Sequence, residues 1–288
     1  MTELASRRTL IAGAAASFYA GEALAAEPFA AIEARVGGRL GVAALDLSSG
    51  ERLGRRAAEP FPMCSTFKAM AVAAALARVD RGAERLDRLV RFGEADLLEY
   101  APATRARVKE GAMTVADLCA AAIELSDNTA ANLILASIGG PPGWTAFVRT
   151  LGDHSSRLDR NEPGLNSASP GDPRDTTTPA AMLADLRMVL VGRLLSEASR
   201  QRLAGWMTAC QTGLSRLRAG LPGAWRVADK TGSGAHGTAN DIAVAWTPGG
   251  AILIACYLTG ARAGPEERDR AIADVARVTA SRLRGVHG

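Results

Sequence analysis

Three short clusters in this chain carry residue types that can do covalent chemistry. In Ser65-Thr66-Phe67-Lys68 the serine and the lysine are three apart, so in a helix the hydroxyl and the amine share a face. A serine is a poor nucleophile until a base removes its proton. A lysine acts as that base only when neutral, and burial beside a positive helix N-terminus favours the neutral form. Alone the spacing says little, because S-x-x-K arises readily by chance. Ser126-Asp127-Asn128 lies between two apolar helical segments. As a structural element it caps a helix. As a chemical one it offers a hydroxyl to pass a proton and an amide, Asn128, to hold a carbonyl. Lys230-Thr231-Gly232-Ser233-Gly234 closes a strand and reads either as a surface turn or as a binding edge. In the second reading a cation and two hydroxyls, on Thr231 and Ser233, bind a carboxylate. Gly232 then lets the ligand approach the backbone, and an N–H near Ser233 faces an oxyanion. Arg216 and Arg218 precede that strand; Arg216 reinforces the carboxylate site or is a solvated surface arginine. The chain has only three lysines, Lys68, Lys109 and Lys230, and two of them fall in these clusters.

The elements that must position these clusters follow from periodicity and punctuation. After a short helical segment over 28–36, residues 39–47 read as a strand, Ser48-Ser49-Gly50 as a turn and 51–55 as a second strand. Helical patterning dominates 66–208, and 70–79 is apolar nearly all round, the mark of a buried helix. Gly, Pro, Asn, Asp and Ser crowd 152–179, and a loop that long in a compact domain is usually functional. Strand character returns at 225–228, 242–246 and 251–258, with Thr247-Pro248-Gly249-Gly250 turning the last two into a hairpin. A final helix spans 265–284, its Ile272, Val275, Ala276 and Leu283 at helical spacing. The pattern predicts an α/β plus all-α protein: a mainly antiparallel sheet flanked by terminal helices, with a helical domain inserted. The expected divisions are 26–56 with 209–288 for the discontinuous α/β domain and 57–208 for the helical one.

Length and composition narrow the function. At 288 residues, 48% hydrophobic and 22% charged, the chain has ordinary globular usage. Its net charge of +4 is spread along the sequence and only 5% of residues are aromatic; with no basic face or stacking platform, nucleic-acid binding is not expected. Residues 1–25 read as a secretory signal: Arg7-Arg8, an apolar stretch from Leu10 to Ala20, and Ala23-Leu24-Ala25 as the cleavage pattern. Ser6-Arg7-Arg8-Thr9-Leu10 resembles a twin-arginine signal, and an ordinary Sec signal is the alternative. Removing 1–25 takes away as many acidic as basic residues, so the charge is unchanged. No later segment reads as transmembrane. Cys64, Cys119, Cys210 and Cys256 have no zinc-ligand spacing and are expected to be free, buried thiols. His154, His236 and His287 are too scattered for a metal site, which disfavours a metallo-hydrolase.

The three clusters, in this order, resemble the S-x-x-K, S-D-N and K-T-G elements of the class A serine β-lactamases. The likeness continues through Arg160-Asn161-Glu162-Pro163-Gly164-Leu165-Asn166, similar to that family's R-x-E-x-x-L-N segment, and through 170–179, and covers essentially the whole mature chain. Taken alone, Glu162 would be an exposed loop carboxylate. The resemblance instead makes it, with Asn166, the holder of a hydrolytic water within an omega loop at 160–175. It also implies an Arg160–Asp175 ion pair pinning that loop, Tyr100 as an aromatic gate, and Asn132 as a buried asparagine supporting the loop.

By the same resemblance Ser65 attacks the lactam carbonyl, and the N–H groups of Ser65 and Ser233 stabilise the oxyanion. Lys68, or Glu162 through a water, takes the proton, and Ser126 passes one to the departing nitrogen beside Lys230. Thr231, Ser233 and Arg216 bind the substrate carboxylate and Asn128 its amide. The implied partners are small-molecule β-lactams, penicillins and cephalosporins, with no metal or cofactor. The expected form is an exported monomer, periplasmic or secreted, without stable membrane association. A penicillin-binding DD-peptidase and a non-catalytic β-lactam sensor are the alternatives. The Glu162 loop argues against the first, and the lack of an attached signalling segment against the second. Cys64 precedes the nucleophile as in several carbapenem-hydrolysing members, but where those carry its disulfide partner this chain has Gly234. His236 is expected to face solvent.

Overall fold

The computed structural model describes residues 22–285, with side chains from residue 28 onward. The predicted signal segment therefore lies outside the described residues, except 22–25, which belong to the first helix. That helix, α1 (Glu22–Val36), starts earlier than the sequence pattern suggested and holds Pro28 within it. Strands β1 (Arg39–Asp46) and β2 (Arg52–Arg55) follow as the expected hairpin. From the other end of the chain come β7 (Arg226–Gly234), β8 (Thr238–Thr247), β9 (Gly250–Thr259) and α10 (Pro265–Arg284). Together they form one five-stranded sheet in the order β2-β1-β9-β8-β7, antiparallel at every pairing.

Alternation along the central strands divides the core in two. Leu253, Ala255 and Tyr257 of β9 face one layer, and Ile252, Ile254, Cys256 and Leu258 face the other. The second layer is covered by α1 and α10, through Phe29 and Ile32 on one helix and Ile272, Val275 and Ala276 on the other. Burial on both faces explains why these strands read as continuous apolar runs.

The first layer is covered by the inserted helices. These are α2 (Phe67–Asp80), α3 (Pro102–Ala106), α4 (Val115–Glu124), α5 (Asn128–Ser137), α6 (Gly140–Thr150), α7 (Pro179–Leu190) and α8 (Glu197–Thr208), with the short α9 (Leu217–Gly220) leading back to the sheet. Their starts are written locally: Thr114, Asp127, Thr178 and Ser196 each accept a hydrogen bond from the first turn they cap. In α2, Phe67 to Ala77 are all buried, as its apolar pattern requires, while Arg78 and Val79 are half-buried. Trp144 of α6 is fully buried against it and donates from Nε1 to the Phe67 carbonyl at 3.0 Å.

Two small sheets were not foreseen. β3 (Phe61–Pro62) pairs with β6 (Thr176–Thr177), and β4 (Leu89–Arg91) pairs with β5 (Ala112–Thr114). Strands of two or three residues are too short to show alternation. The β3–β6 pair matters most, because it lays the end of the long loop beside the segment that carries Ser65, with Met63 N donating to the Asp175 carbonyl at 2.9 Å. Within 152–179 the only other regular element is a 3₁₀ turn, Gly164–Ser167.

Truncating Trp144 removes a fully buried ring and the partner of a first-turn carbonyl. Trp144→Ala is expected to lose about 3–5 kcal/mol of unfolding free energy in denaturant titration; a loss below about 1 kcal/mol would contradict this account of the α2–α6 contact.

Candidate active site

Ser65 stands at the start of α2 on a 3₁₀ turn, Cys64–Thr66, whose first residue has a left-handed backbone, φ 45°. A non-glycine residue takes that conformation only where its surroundings enforce it. They do so here. Asn240 of β8 donates from Nδ2 to the carbonyls of Pro62 and Met63, at 2.8 and 3.0 Å, and Thr66 Oγ1 donates to Met63 O at 2.8 Å. Gly232 of β7 packs directly on the turn, where a Cβ would lie 2.7 Å from Met63 O and 3.2 Å from Ser65 N. The K-T-G glycine is thus required by close approach of two backbones.

The Ser65 hydroxyl donates to Glu162 Oε1 at 3.0 Å, and Lys68 Nζ reaches the same oxygen at 3.0 Å. Lys68 also donates to Ser126 O at 2.8 Å and to Asn128 Oδ1 at 2.7 Å, with Ser126 Oγ at 3.3 Å. Its side chain and that of Glu162 are fully withdrawn from solvent. Burial lowers the Lys68 pKa, and the Glu162 charge opposes that shift. The 3₁₀ turn running into α2 therefore places hydroxyl and amine on one side, as the sequence spacing demanded, and the carboxylate joins them.

Ser126 sits between α4 and α5 at φ 58°. In Ser126-Asp127-Asn128 the capping role falls to the middle residue. Asp127 is the cap, accepting from Ala130 N at 2.8 Å and from Ala103 N, Thr104 N and Thr104 Oγ1. That frees its neighbours to face the site. Lys230 Nζ donates to Ser126 Oγ at 3.0 Å and to Thr231 O at 2.9 Å, so Ser126 lies between two lysines. Burial, with the nearby Lys68 charge, lowers the Lys230 pKa to about 8.

The β7 edge carries the remaining groups. Thr231 Oγ1 meets Thr212 Oγ1 at 2.5 Å, and Ser233 is exposed. Arg216 is no solvated surface arginine. Its guanidinium donates to Gly232 O, Asn240 O and Ser233 Oγ at 2.8–2.9 Å, while Nε pairs with Asp269 of α10 at 2.8 Å. Arg218 instead turns inward to Asp229, with Nε to Oδ1 at 3.0 Å. Tyr100 is 52% exposed, and its carbonyl accepts from Asn128 N at 3.0 Å. His236 is exposed, as expected.

The long loop closes the site. Glu162 is 4% exposed, far from a free loop carboxylate. Asn132 of α5 clamps its backbone from both sides, Nδ2 to Glu162 O at 2.9 Å and Glu162 N to Oδ1 at 3.0 Å. Asn132 is half-buried rather than buried, because it stands at the edge of the helix the loop lies on. Asn166 donates from Nδ2 to Glu162 Oε2, and its carbonyl accepts from Ala235 N at 3.0 Å, joining the loop to β7. Arg160 Nε meets Asp175 Oδ2 at 2.6 Å, and Asp175 Oδ1 accepts from the N–H groups of Asp159 and Arg160.

Asn240, Thr212 and Asp269 were not singled out from the sequence. None had a legible signal: Asn240 lies in a polar stretch just before the apolar run that read as strand. All four cysteines are free and buried; burial pushes the Cys64 thiol up to about 12. A Cβ on Gly234 would lie 2.7 Å from its Sγ. Among the described residues no three His, Cys, Asp or Glu side chains gather as a metal site.

A hydroxyl, a buried amine and a carboxylate meet on one oxygen, beside a strand edge furnished with an arginine and two hydroxyls, and these are the groups that serine acyl transfer requires. Comparison with known proteins agrees. Residues 24–283 match the model of the β-lactamase enzyme family. The chain is 51% identical to β-lactamase L2 of Stenotrophomonas maltophilia over 91% of its own length and 86% of that protein's. It is 48% identical to β-lactamase AST-1 of Nocardia asteroides, covering 91% and 84%. The solved structure of the class A β-lactamase of the last common ancestor of Gram-negative bacteria superposes with a TM-score of 0.89 at 57% identity, covering 91% of this chain and all of that one. The chain belongs to the β-lactamase enzyme family, among the class A serine enzymes.

Because Gly232 touches the nucleophile's turn, Gly232→Ala is expected to displace Ser65 and slow its covalent labelling by a β-lactam about a hundredfold. An unchanged labelling rate in stopped flow would show that the contact does not position the serine.

Proposed function

We propose that this protein hydrolyses the β-lactam amide bond through a covalent intermediate on Ser65, conferring resistance to penicillins and cephalosporins. The observation that carries the mechanism is the shared Glu162 oxygen, 3.0 Å from both Ser65 Oγ and Lys68 Nζ.

Ser65 Oγ attacks the lactam carbonyl as its proton passes to Glu162, to which it already donates. The N–H groups of Ser65 and Ser233 stabilise the oxyanion. Lys68 gives a proton through Ser126 to the departing nitrogen, the C–N bond breaks, and Glu162 returns a proton to Lys68. Water then stands between Glu162 and Asn166. Support for that placement is that Asn166 Oδ1 is buried and meets no donor among the described residues. Glu162 takes a proton from the water, the new C–O bond forms, and Ser65 leaves as the ester opens and recovers its proton. The substrate carboxylate is held by Thr231, Ser233 and Arg216 in the field of Lys230, its side-chain amide by Asn128, and Tyr100 lines the rim.

All these groups come from one chain, which supports action as a monomer. Among the described residues no helix is long and apolar enough to cross a membrane. The Arg7-Arg8 and Ala23-Leu24-Ala25 pattern supports export to the periplasm or medium. The depth at which Glu162 is held favours hydrolysis over the slow release of a DD-peptidase.

A nitrocefin assay on the protein lacking residues 1–25 tests the activity directly, and absence of turnover would overturn it. Glu162→Ala should leave a persistent benzylpenicillin adduct in intact mass spectrometry, whereas Ser65→Ala should leave none; rapid release by the first or labelling of the second would reassign the roles. The Lys230 ammonium loses its proton as pH rises past about 8. Expected, therefore, is a fall in kcat/KM for a carboxylate-bearing β-lactam above that pH. A profile still level near pH 10, the ordinary lysine range, would remove Lys230 from substrate capture.

A further inference from the structure

Beneath the neck of the omega loop lie two buried carboxyls that the reaction does not use. Asp153 follows α6, and Asp185 is in the second turn of α7; they are 7% and 2% exposed. Asp153 Oδ1 accepts from Ser155 N at 2.7 Å and Ser156 N at 3.0 Å. The Oδ2 atoms of both residues are buried and meet no donor, and Asp153 is the acidic side chain within interacting reach of Asp185. Two carboxylates cannot make that contact, since both only accept; one must carry a proton. Asp153 Oδ1 is already engaged by two backbone N–H groups, which leaves Asp185 as the carboxyl to carry the proton. The charged or titratable groups that reach Asp185 are Asp153 and, from α6, Arg149, which donates to the Asp153 carbonyl; Tyr257 faces it from β9. Burial first, then the Asp153 charge, raises the Asp185 pKa to about 9.

This pair is the lowest rung of a ladder between the two ends of the loop. Above it, Ser156 Oγ meets Thr177 Oγ1 at 2.6 Å and Arg157 N donates to Thr176 O at 2.9 Å. The Arg160–Asp175 pair forms the top, next to Glu162. We propose that Asp185 is a positioning residue: as a neutral acid donating to Asp153, it fastens both ends of the omega loop and so holds Glu162 and Asn166 in place for hydrolysis of the acyl-enzyme. This rests on the hydrolase reading above.

The folded protein keeps on Asp185 a proton that the unfolded chain releases near pH 4. The stability it contributes is therefore complete below about pH 4, declines through to about pH 9, and changes no further above. Asp185→Asn keeps the shape and a donor to Asp153 but cannot titrate. Relative to Asp185→Asn, the natural protein should therefore lose Tm steadily from about pH 5 to pH 9, the gap opening in the variant's favour and then levelling. Asp185→Leu leaves Asp153 without its donor. It is expected to lengthen the benzylpenicillin acyl-enzyme lifetime about tenfold, whereas Asp185→Asn restores rapid release. A pH-independent Tm gap would refute the shared proton. An unchanged acyl-enzyme lifetime in Asp185→Leu, or a failure of Asp185→Asn to restore release, would refute the positioning role. The Tm comparison uses no substrate, so it fails or succeeds independently of the hydrolase reading.

Discussion

The Lys68–Glu162 ion pair, with both side chains sealed from solvent, is the constraint on which the rest of the structure depends. Burying an ammonium and a carboxylate costs several kcal/mol per ion unless each finds further partners. Most features around Ser65 supply those partners. The Ser126 carbonyl and the Asn128 amide complete the shell of Lys68, while Ser65 and Asn166 donate to the two oxygens of Glu162. The same groups are the ones the proposed mechanism uses. What stabilises the buried charges and what is proposed to move protons are one network, so neither can change alone.

That network needs a second buried cation, and Lys230 supplies it from a strand rather than a helix. Two lysines in one pocket repel, and the fold tolerates them because Ser126 separates them and Glu162 answers one. The left-handed backbones at Cys64 and Ser126 show where the surroundings have overridden local preference to place the nucleophile turn and the Ser126 hydroxyl. The loop bearing Glu162 is irregular, yet it is fixed by Asn132, by Arg160 and Asp175, and by the bond from Ala235 to Asn166. A carboxylate on an untied loop would not remain withdrawn from water beside a serine.

Much of this was legible in residue order. The terminal helix at 265–284, the β1–β2 hairpin and the buried α2 follow from periodicity and punctuation, because each satisfies its own backbone locally. The strands β7 and β8 extend beyond their apolar cores, since the polar Lys230 to Gly234 and Thr238 to Asp241 pair as strand only through their neighbours. The two-stranded ribbons were invisible for the same reason. Asn132 read as buried and is half-buried, and Arg216 read equally as surface or site until its four acceptors were in view.

The sequence by itself determined which side chains were available, their order, that one helical turn would align Ser65 with Lys68, and that the triplet Ser126-Asp127-Asn128 could open a helix. Those are short-range matters, decided by backbone geometry and turn chemistry. Tertiary structure alone decided that Ser65 and Lys68 meet on a single oxygen of Glu162, that Asn240 and Gly232 hold the nucleophile's turn, and that Asp153 and Asp185 come close enough to share a proton. Each of those contacts joins residues distant in sequence and far apart until the sheet closes, and their charges take on these properties only when folding removes the water between them.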